Sequence, residues 1–152
     1  MKKREDSIVG FIGLGLMGGA LAMGLRKQGP REIWAHDLNP SVIKKALDQG
    51  VIDQGVWDSA GLQKMLPQCD LVFICLTPMD TLAFLALYME DFKPGAIVTD
   101  IIGVKEVVFK NLGNLLRKDI DYIPGHPMAG SEKEGFGGAD DRIFKNRNYI
   151  LT

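Results

Sequence analysis

Apolar positions fall into a repeating beat along the chain. Ile8 to Ile12 is a short apolar run ending at Gly13, and Leu16 to Lys27 then carries apolar residues at helical spacing until Gly29 and Pro30 stop it. The order is strand, glycine turn, helix. Glu32 to His36 predicts a second strand, and Asn39-Pro40 supplies an N-cap and a first-turn proline for a helix that runs to Gln49 and halts at Gly50. Residues 51–58 predict an irregular stretch, followed by a short helix near Ser59 to Leu66. Asp70 to Leu76 is almost wholly apolar, as in a strand buried on both faces. Thr77-Pro78 breaks it and opens a helix through about Met89, after which Lys93-Pro94-Gly95 turns the chain into a strand over Ala96 to Asp100. Val104, Val107, Val108, Leu112, Leu115 and Leu116 mark one face of the next helix. Asp121 to Ile123 and Asn148 to Thr152 predict two further strands. Between them, Gly125-His126-Pro127 reads as a turn, too rich in glycine and proline for a strand interior.

Strands alternating with helices predict an α/β fold. The expected form is a doubly wound, mostly parallel sheet of the Rossmann type that binds a dinucleotide. At 152 residues the chain suits one domain with a real core, here residues 7–152 behind a charged, solvated tail over residues 1–6. No internal repeat or low-complexity tract interrupts it.

Charge narrows the partners. Lys plus Arg at 18 against Asp plus Glu at 19 leaves a net charge of -1, so no basic field draws nucleic acid or an acidic membrane. No run has the length of a bilayer span or the core of a signal peptide. Small molecules or proteins are the expected partners. The two cysteines, Cys69 and Cys75, have neither metal-ligand nor Cys-x-x-Cys spacing, so no metal site is expected and a reducing cytoplasm fits.

The glycine turn Gly13-Leu14-Gly15-Leu16-Met17-Gly18 carries the first chemistry. Gly13 allows a tight turn after the strand, Gly15 lets backbone approach a pyrophosphate, and Gly18 lets the helix pack on the sheet. Free N–H groups at that helix start, with the amides of Leu16 and Met17 among them, stabilise an anion without a lysine. A glycine pattern alone is weak; here it follows a strand, opens a helix and is answered by Asp37 at the end of the second strand. Asp37 is placed to accept both adenosine ribose hydroxyls and to repel the extra phosphate of NADP, which makes NAD the expected cofactor. It can also simply start the turn into Asn39-Pro40, and both roles can hold together. Leu76, Thr77 and Pro78, at the end of the apolar strand, fall where loops of such folds touch the cofactor, although Thr77-Pro78 serves equally as a helix start. Asp100, at the end of a later strand, joins the cofactor candidates. His36 is expected to be an exposed strand end without a role.

The second chemistry is a histidine. Loss of hydride from a carbon system bearing a hydroxyl needs a base, and imidazole, with a reference pKa of about 6.5, suits that work. His126 and His36 are the only histidines, and His126 lies in the second half of the sheet at the end that faces the glycine turn. A purely structural histidine in a tight turn is the alternative.

The octapeptide Gly125-His126-Pro127-Met128-Ala129-Gly130-Ser131-Glu132 resembles the signature of the prephenate and arogenate dehydrogenases. The glycine turn, Asp37, Asp100 through Lys105, and Tyr149-Ile150-Leu151-Thr152 extend the resemblance over nearly the whole chain. It implies that His126 accepts or polarises the ring hydroxyl of prephenate or arogenate while hydride leaves for NAD and carbon dioxide departs, a step of tyrosine biosynthesis. It places Ser131 and Glu132 beside the substrate. It also implies a longer enzyme that dimerises through a helical C-terminal domain not contained in these residues, and an isolated domain that turns over little substrate. One position departs from the pattern: Asp100-Ile101-Ile102-Gly103-Val104-Lys105 resembles Asp-x-x-Ser-Val-Lys, with Gly103 where the family has a substrate-binding serine. A hydroxyacid dehydrogenase of the 3-hydroxyisobutyrate type shares the opening Gly10 to Gly18, and a catalytically silent NAD-binding module is compatible with Gly103.

Overall fold

Parallel strands must be joined by crossovers, and the helices in those crossovers bury the sheet between them. The computed structural model describes residues 2–152, with the side chain of Val107 outside that description. The elements in chain order are β1 (Ile8–Ile12), α1 (Leu16–Arg26), β2 (Glu32–His36), α2 (Pro40–Asp48), β3 (Gln54–Val56), α3 (Ser59–Met65), β4 (Leu71–Ile74), α4 (Pro78–Tyr88), β5 (Ile97–Asp100), α5 (Glu106–Leu112), β6 (Asp121–Ile123), β7 (Gly125–Pro127) and β8 (Tyr149–Leu151). Six strands form one parallel sheet in the order β3-β2-β1-β4-β5-β6. The order reverses between β1 and β4, and that reversal opens a crevice at the carboxyl ends of the strands. Alternation along β1 divides the core: Val9 and Phe11 pack with Ile33, Ala35 and Ile43 on one face, whereas Ile12 joins Val72, Ile74, Leu85 and Val98 on the other.

Helix boundaries follow local chemistry. Asn39 caps α2 by accepting from the Ser41 amide, and Gly50 beyond its end has φ +68, a conformation that favours glycine. Thr77 caps α4, with Pro78 in its first turn.

The structure differs from the expected elements and their burial in five places. Residues 54–56, expected to be irregular, form edge strand β3; it is three residues long with a central glycine, so no apolar run announces it. Residues 125–127, expected to be a turn, form β7, and β8 pairs antiparallel with it in a separate ribbon instead of extending the main sheet. Val104 stands 75% exposed ahead of α5, which starts at Glu106, while Leu115 and Leu116 follow its end and pack partly against the core; Val107 lies outside the described side chains. β4 is buried through Val72 and Ile74 only. Leu71 and Phe73 are half-buried along an apolar groove of about 500 Å³ bounded by α1, Phe144 and β8. Finally, His36 is buried rather than exposed.

Candidate active site

The carboxyl ends of the central strands are stitched together before any ligand is considered. Gly13 N donates to His36 O at 2.8 Å, Cys75 N to Ile12 O at 2.8 Å, and Asp37 N to Val56 O at 3.2 Å. Gly13 has φ +89, and a Cβ there would stand 2.8 Å from the Cys75 carbonyl oxygen; at Gly18 it would fall 2.1 Å from Gly13 O. Both glycines are therefore required by close approach, and α1 lies hard against the turn. At Gly15 nothing stands within 4 Å of such a Cβ. That open side, before a helix of 11 residues whose N-terminus no side chain caps, leaves backbone N–H groups of the Leu16-Met17 turn for an anion.

Asp37 braces this turn. Its Oδ2 accepts from Leu14 N and its Oδ1 from Asn39 N, both at 2.9 Å. Each carboxylate oxygen retains accepting capacity, so a vicinal diol can still be received. The adjoining cleft, about 620 Å³, is lined by Gly13, His36, Asp37, Leu38, Trp57, Asp58, Leu76, Asp80 and Leu87 among others. Its apolar walls suit a purine and its floor carries three carboxylates, with no Lys or Arg in the lining. Burial lowers the His36 pKa, outweighing Asp37 and Asp58, so His36 adds no cation at neutral pH. Trp57 and Asp58 have no sequence signal because β3, just before them, shows no period, while Asp80 reads only as a first-turn helix residue and His36 as an exposed strand end.

Leu76 lines the cleft. Thr77 spends its hydroxyl on Asp80, accepting from its amide at 3.2 Å and donating to its carboxylate at 2.7 Å, so its visible work is the helix start. Asp100 must be corrected. It is 1% exposed and its carboxylate is bonded to Lys105, Tyr122 and the Ile102 amide, so the side chain is engaged inside the protein and not presented to the crevice.

His126 sits within β7, opposite Ile150 of β8, and β7 lies against the carboxyl end of β5. A Cβ built on Gly103 would meet His126 Nε2 at 3.0 Å and Cε1 at 3.1 Å. The imidazole thus lies directly on the glycine that departs from the family pattern. Gly103 is absent from the positive-φ positions, so a side chain is limited there by the imidazole and not by the backbone. Gly103→Ala should push the ring by a few tenths of an ångström and lower kcat. Gly103→Ser should recover at most about tenfold over Ala through one hydrogen bond worth about 0.5–1.5 kcal/mol. NAD affinity should stay near wild type in both; a parallel loss of cofactor binding would show that residue 103 belongs to the nucleotide site instead.

Ser131 and Glu132 are exposed on the loop after β7. Ser131 Oγ accepts from Lys133 N at 3.2 Å, and among the described residues no hydrogen bond joins either side chain to His126. The loop is nevertheless anchored to the nucleotide helix. Phe136 is buried against Gly19, where a Cβ would meet its ring at 2.8 Å and Ala139 Cβ at 2.9 Å, and Lys27 pairs with Asp141 at 2.6 Å. This contact brings the histidine segment to α1. Its only trace in the sequence is a second glycine after Gly18.

Among the described residues, no group of three or more His, Cys, Asp or Glu could hold a metal ion, and no helix is long and apolar enough to cross a membrane.

Known proteins are similar to this chain in sequence and fold. The family model for the prephenate dehydrogenase nucleotide-binding domain matches residues 21–152, which include the histidine segment, while the glycine turn before them rests on its own geometry. A prephenate dehydrogenase of Lactococcus lactis subsp. cremoris is 34% identical over 145 residues, covering 93% of this chain and 40% of that protein. The crystal structure of Synechocystis arogenate dehydrogenase aligns with TM-score 0.85 at 30% identity, over 95% of this chain and 49% of that one. Prephenate dehydrogenase from Aquifex aeolicus, crystallised with hydroxyphenyl propionate and NAD+, aligns with TM-score 0.83 at 30% identity over 99% of this chain and 52% of that one. The chain thus spans about half or less of each of these relatives. With the glycine turn, Asp37 and the strand-borne histidine gathered at one end of a Rossmann sheet, the chain belongs to the prephenate dehydrogenase family, as its nucleotide-binding domain.

Proposed function

We propose that the protein carrying this domain is an NAD-dependent prephenate dehydrogenase, which converts prephenate to 4-hydroxyphenylpyruvate and carbon dioxide in tyrosine biosynthesis. The observation that carries the proposal is the placement of His126 on β7 against the end of β5, at the carboxyl ends of the strands, where the glycine turn also opens. NAD, when bound, supplies the hydride acceptor. The open side of the glycine turn offers the amides of the Leu16-Met17 turn to its pyrophosphate, Asp37 receives the ribose, and the walls formed by Leu38, Trp57 and Leu87 flank the adenine. Three carboxylates and no cation in the cleft favour NAD over NADP, whose additional phosphate would be repelled. His126 accepts or polarises the ring hydroxyl proton, with Ser131 and Glu132 orienting or gating the substrate from the loop anchored on α1. The same reading carries a cytoplasmic homodimer formed through a helical domain. Two free cysteines are in keeping with a reducing compartment, and burial pushes the Cys69 thiol up to about 12.

Arogenate is the second reading, favoured by the close alignment with the Synechocystis enzyme. Assaying NADH formation by the natural full-length protein, with prephenate and arogenate in parallel, tests both. Turnover should require NAD and should be faster with prephenate. Tight NAD binding without turnover of either substrate would identify a silent nucleotide-binding module instead.

A further inference from the structure

Lysine is among the side chains least often buried, yet Lys105, just before α5, turns inward until 13% of its side chain is exposed. Its Nζ donates to Asp100 Oδ1 at 2.6 Å and to the carbonyl oxygen of Gly125 at 2.9 Å. The rest of the Asp100 carboxylate is held by the Ile102 amide at 2.8 Å and by the Tyr122 hydroxyl. Burial, and then the neighbouring carboxylate, push the Tyr122 phenol up, so it stays a donor. The buried charge at the end of β5 is therefore fully partnered without any ligand.

The Gly125 carbonyl needs the lysine for a reason written in the β7–β8 ladder. Thr152 N donates to Pro124 O at 3.1 Å and Met128 N to Asn148 O at 2.9 Å. In an antiparallel pair the bonded positions alternate, so His126 and Ile150 form the hydrogen-bonded pair, whereas Gly125 and Pro127 point their backbone groups away from β8. Pro127, lacking an N–H, is tolerated there at no cost to the ladder. Gly125, which is buried, has a carbonyl that the ribbon cannot satisfy. Lys105 supplies its donor. That oxygen and the amide nitrogen of His126 belong to one planar peptide group, so fixing the oxygen fixes the peptide from which the imidazole springs. The approach is tight: a Cβ on Gly125 would meet Asp100 O at 2.7 Å and the Tyr149 ring at 2.8 Å.

We propose that Lys105 is a positioning residue for His126, its ammonium tying the peptide before the histidine to the end of β5. The proposal rests on the reading of His126 as the base.

The test is a mutant cycle in the natural full-length protein, following prephenate-dependent turnover and, separately, the NAD dissociation constant. Lys105→Met should lower kcat about 10- to 100-fold, since small displacements of a catalytic group carry losses of that size. NAD affinity should move by less than about twofold, the usual margin for uncoupled sites. Asp100→Asn combined with Lys105→Met keeps the site neutral but leaves Gly125 untethered, so kcat should remain low; this pair carries the test alone should Lys105→Met fail to fold. In a His126→Asn background, Lys105→Met should change kcat by less than about twofold, because the group it positions is gone. Recovery of kcat in the neutral pair would reduce Lys105 to a counter-ion of Asp100 and overturn the proposal. So would an equal fold loss with and without His126, or a matching loss of NAD affinity. Near-normal turnover by His126→Asn alone refutes the reading of the base, and the positioning role falls with it.

Discussion

His126→Asn should lower kcat of the full-length natural protein by about 100- to 10,000-fold, the range typical for loss of a positioned general base. NAD binding should barely change. The imidazole is carried by a strand whose backbone pairs with β8, and His126 is not among the residues that line the nucleotide cleft. Asparagine is close in size and retains a polar tip, so the ribbon and the packing over Gly103 survive the exchange. The loss should therefore appear in kcat and in kcat/KM together, as for an interaction made during reaction. Unfolding followed by circular dichroism provides the control: a variant with wild-type stability and near-normal turnover would leave His126 as a structural histidine of the ribbon.

Asp37→Ala should weaken NAD binding about 10- to 100-fold, since hydrogen bonds to a charged group are worth about 1.5–3 kcal/mol. NADP binding should suffer less, because the repulsion of its phosphate is relieved as the ribose acceptor is lost. In the wild-type protein, NAD at 100 times its dissociation constant should raise unfolding free energy by about 2.7 kcal/mol, with a smaller gain from NADP. The carboxylate also holds Leu14 N and Asn39 N, so part of the effect in the alanine variant comes from a loosened glycine turn. Asp37→Asn separates the contributions: it keeps the size and one accepting oxygen while discharging the group. Calorimetric titration of the wild-type protein with both cofactors decides the assignment, and equal or tighter NADP binding would refute it. Asp58 and Asp80 add to the same negative floor, so the selectivity should fall short of full reversal even in Asp37→Ala.

The features legible along the chain are local or periodic. The apolar run of β1 followed by a glycine turn and a helical pattern is a short-range signal, and the parallel sheet follows from its repetition. Asn39, Thr77 and Gly50 mark helix ends by bonds and backbone conformations that span a few residues, and the structure places them there. Asp37 was legible because its distance from the glycine turn is set by one strand–helix–strand unit.

The remaining features depend on contacts between distant parts of the chain. β3 has too few residues to show a period and exists because the edge of β2 offers it partners; with it came Trp57 and Asp58 on the nucleotide cleft. Glycine and proline argued for a turn at His126, yet pairing with β8, more than 20 residues away, makes a strand in which Pro127 occupies a position that needs no donor. Asp100 looked available at a strand end and proved buried, its charge met by Lys105 and Tyr122. The contact of Phe136 with Gly19 fixes the histidine segment to α1 through steric fit across more than 100 residues. Hydrophobic period and turn chemistry are written residue by residue, whereas the choice of partner for a short strand, a buried charge or a glycine face depends on which distant surfaces the finished sheet brings together.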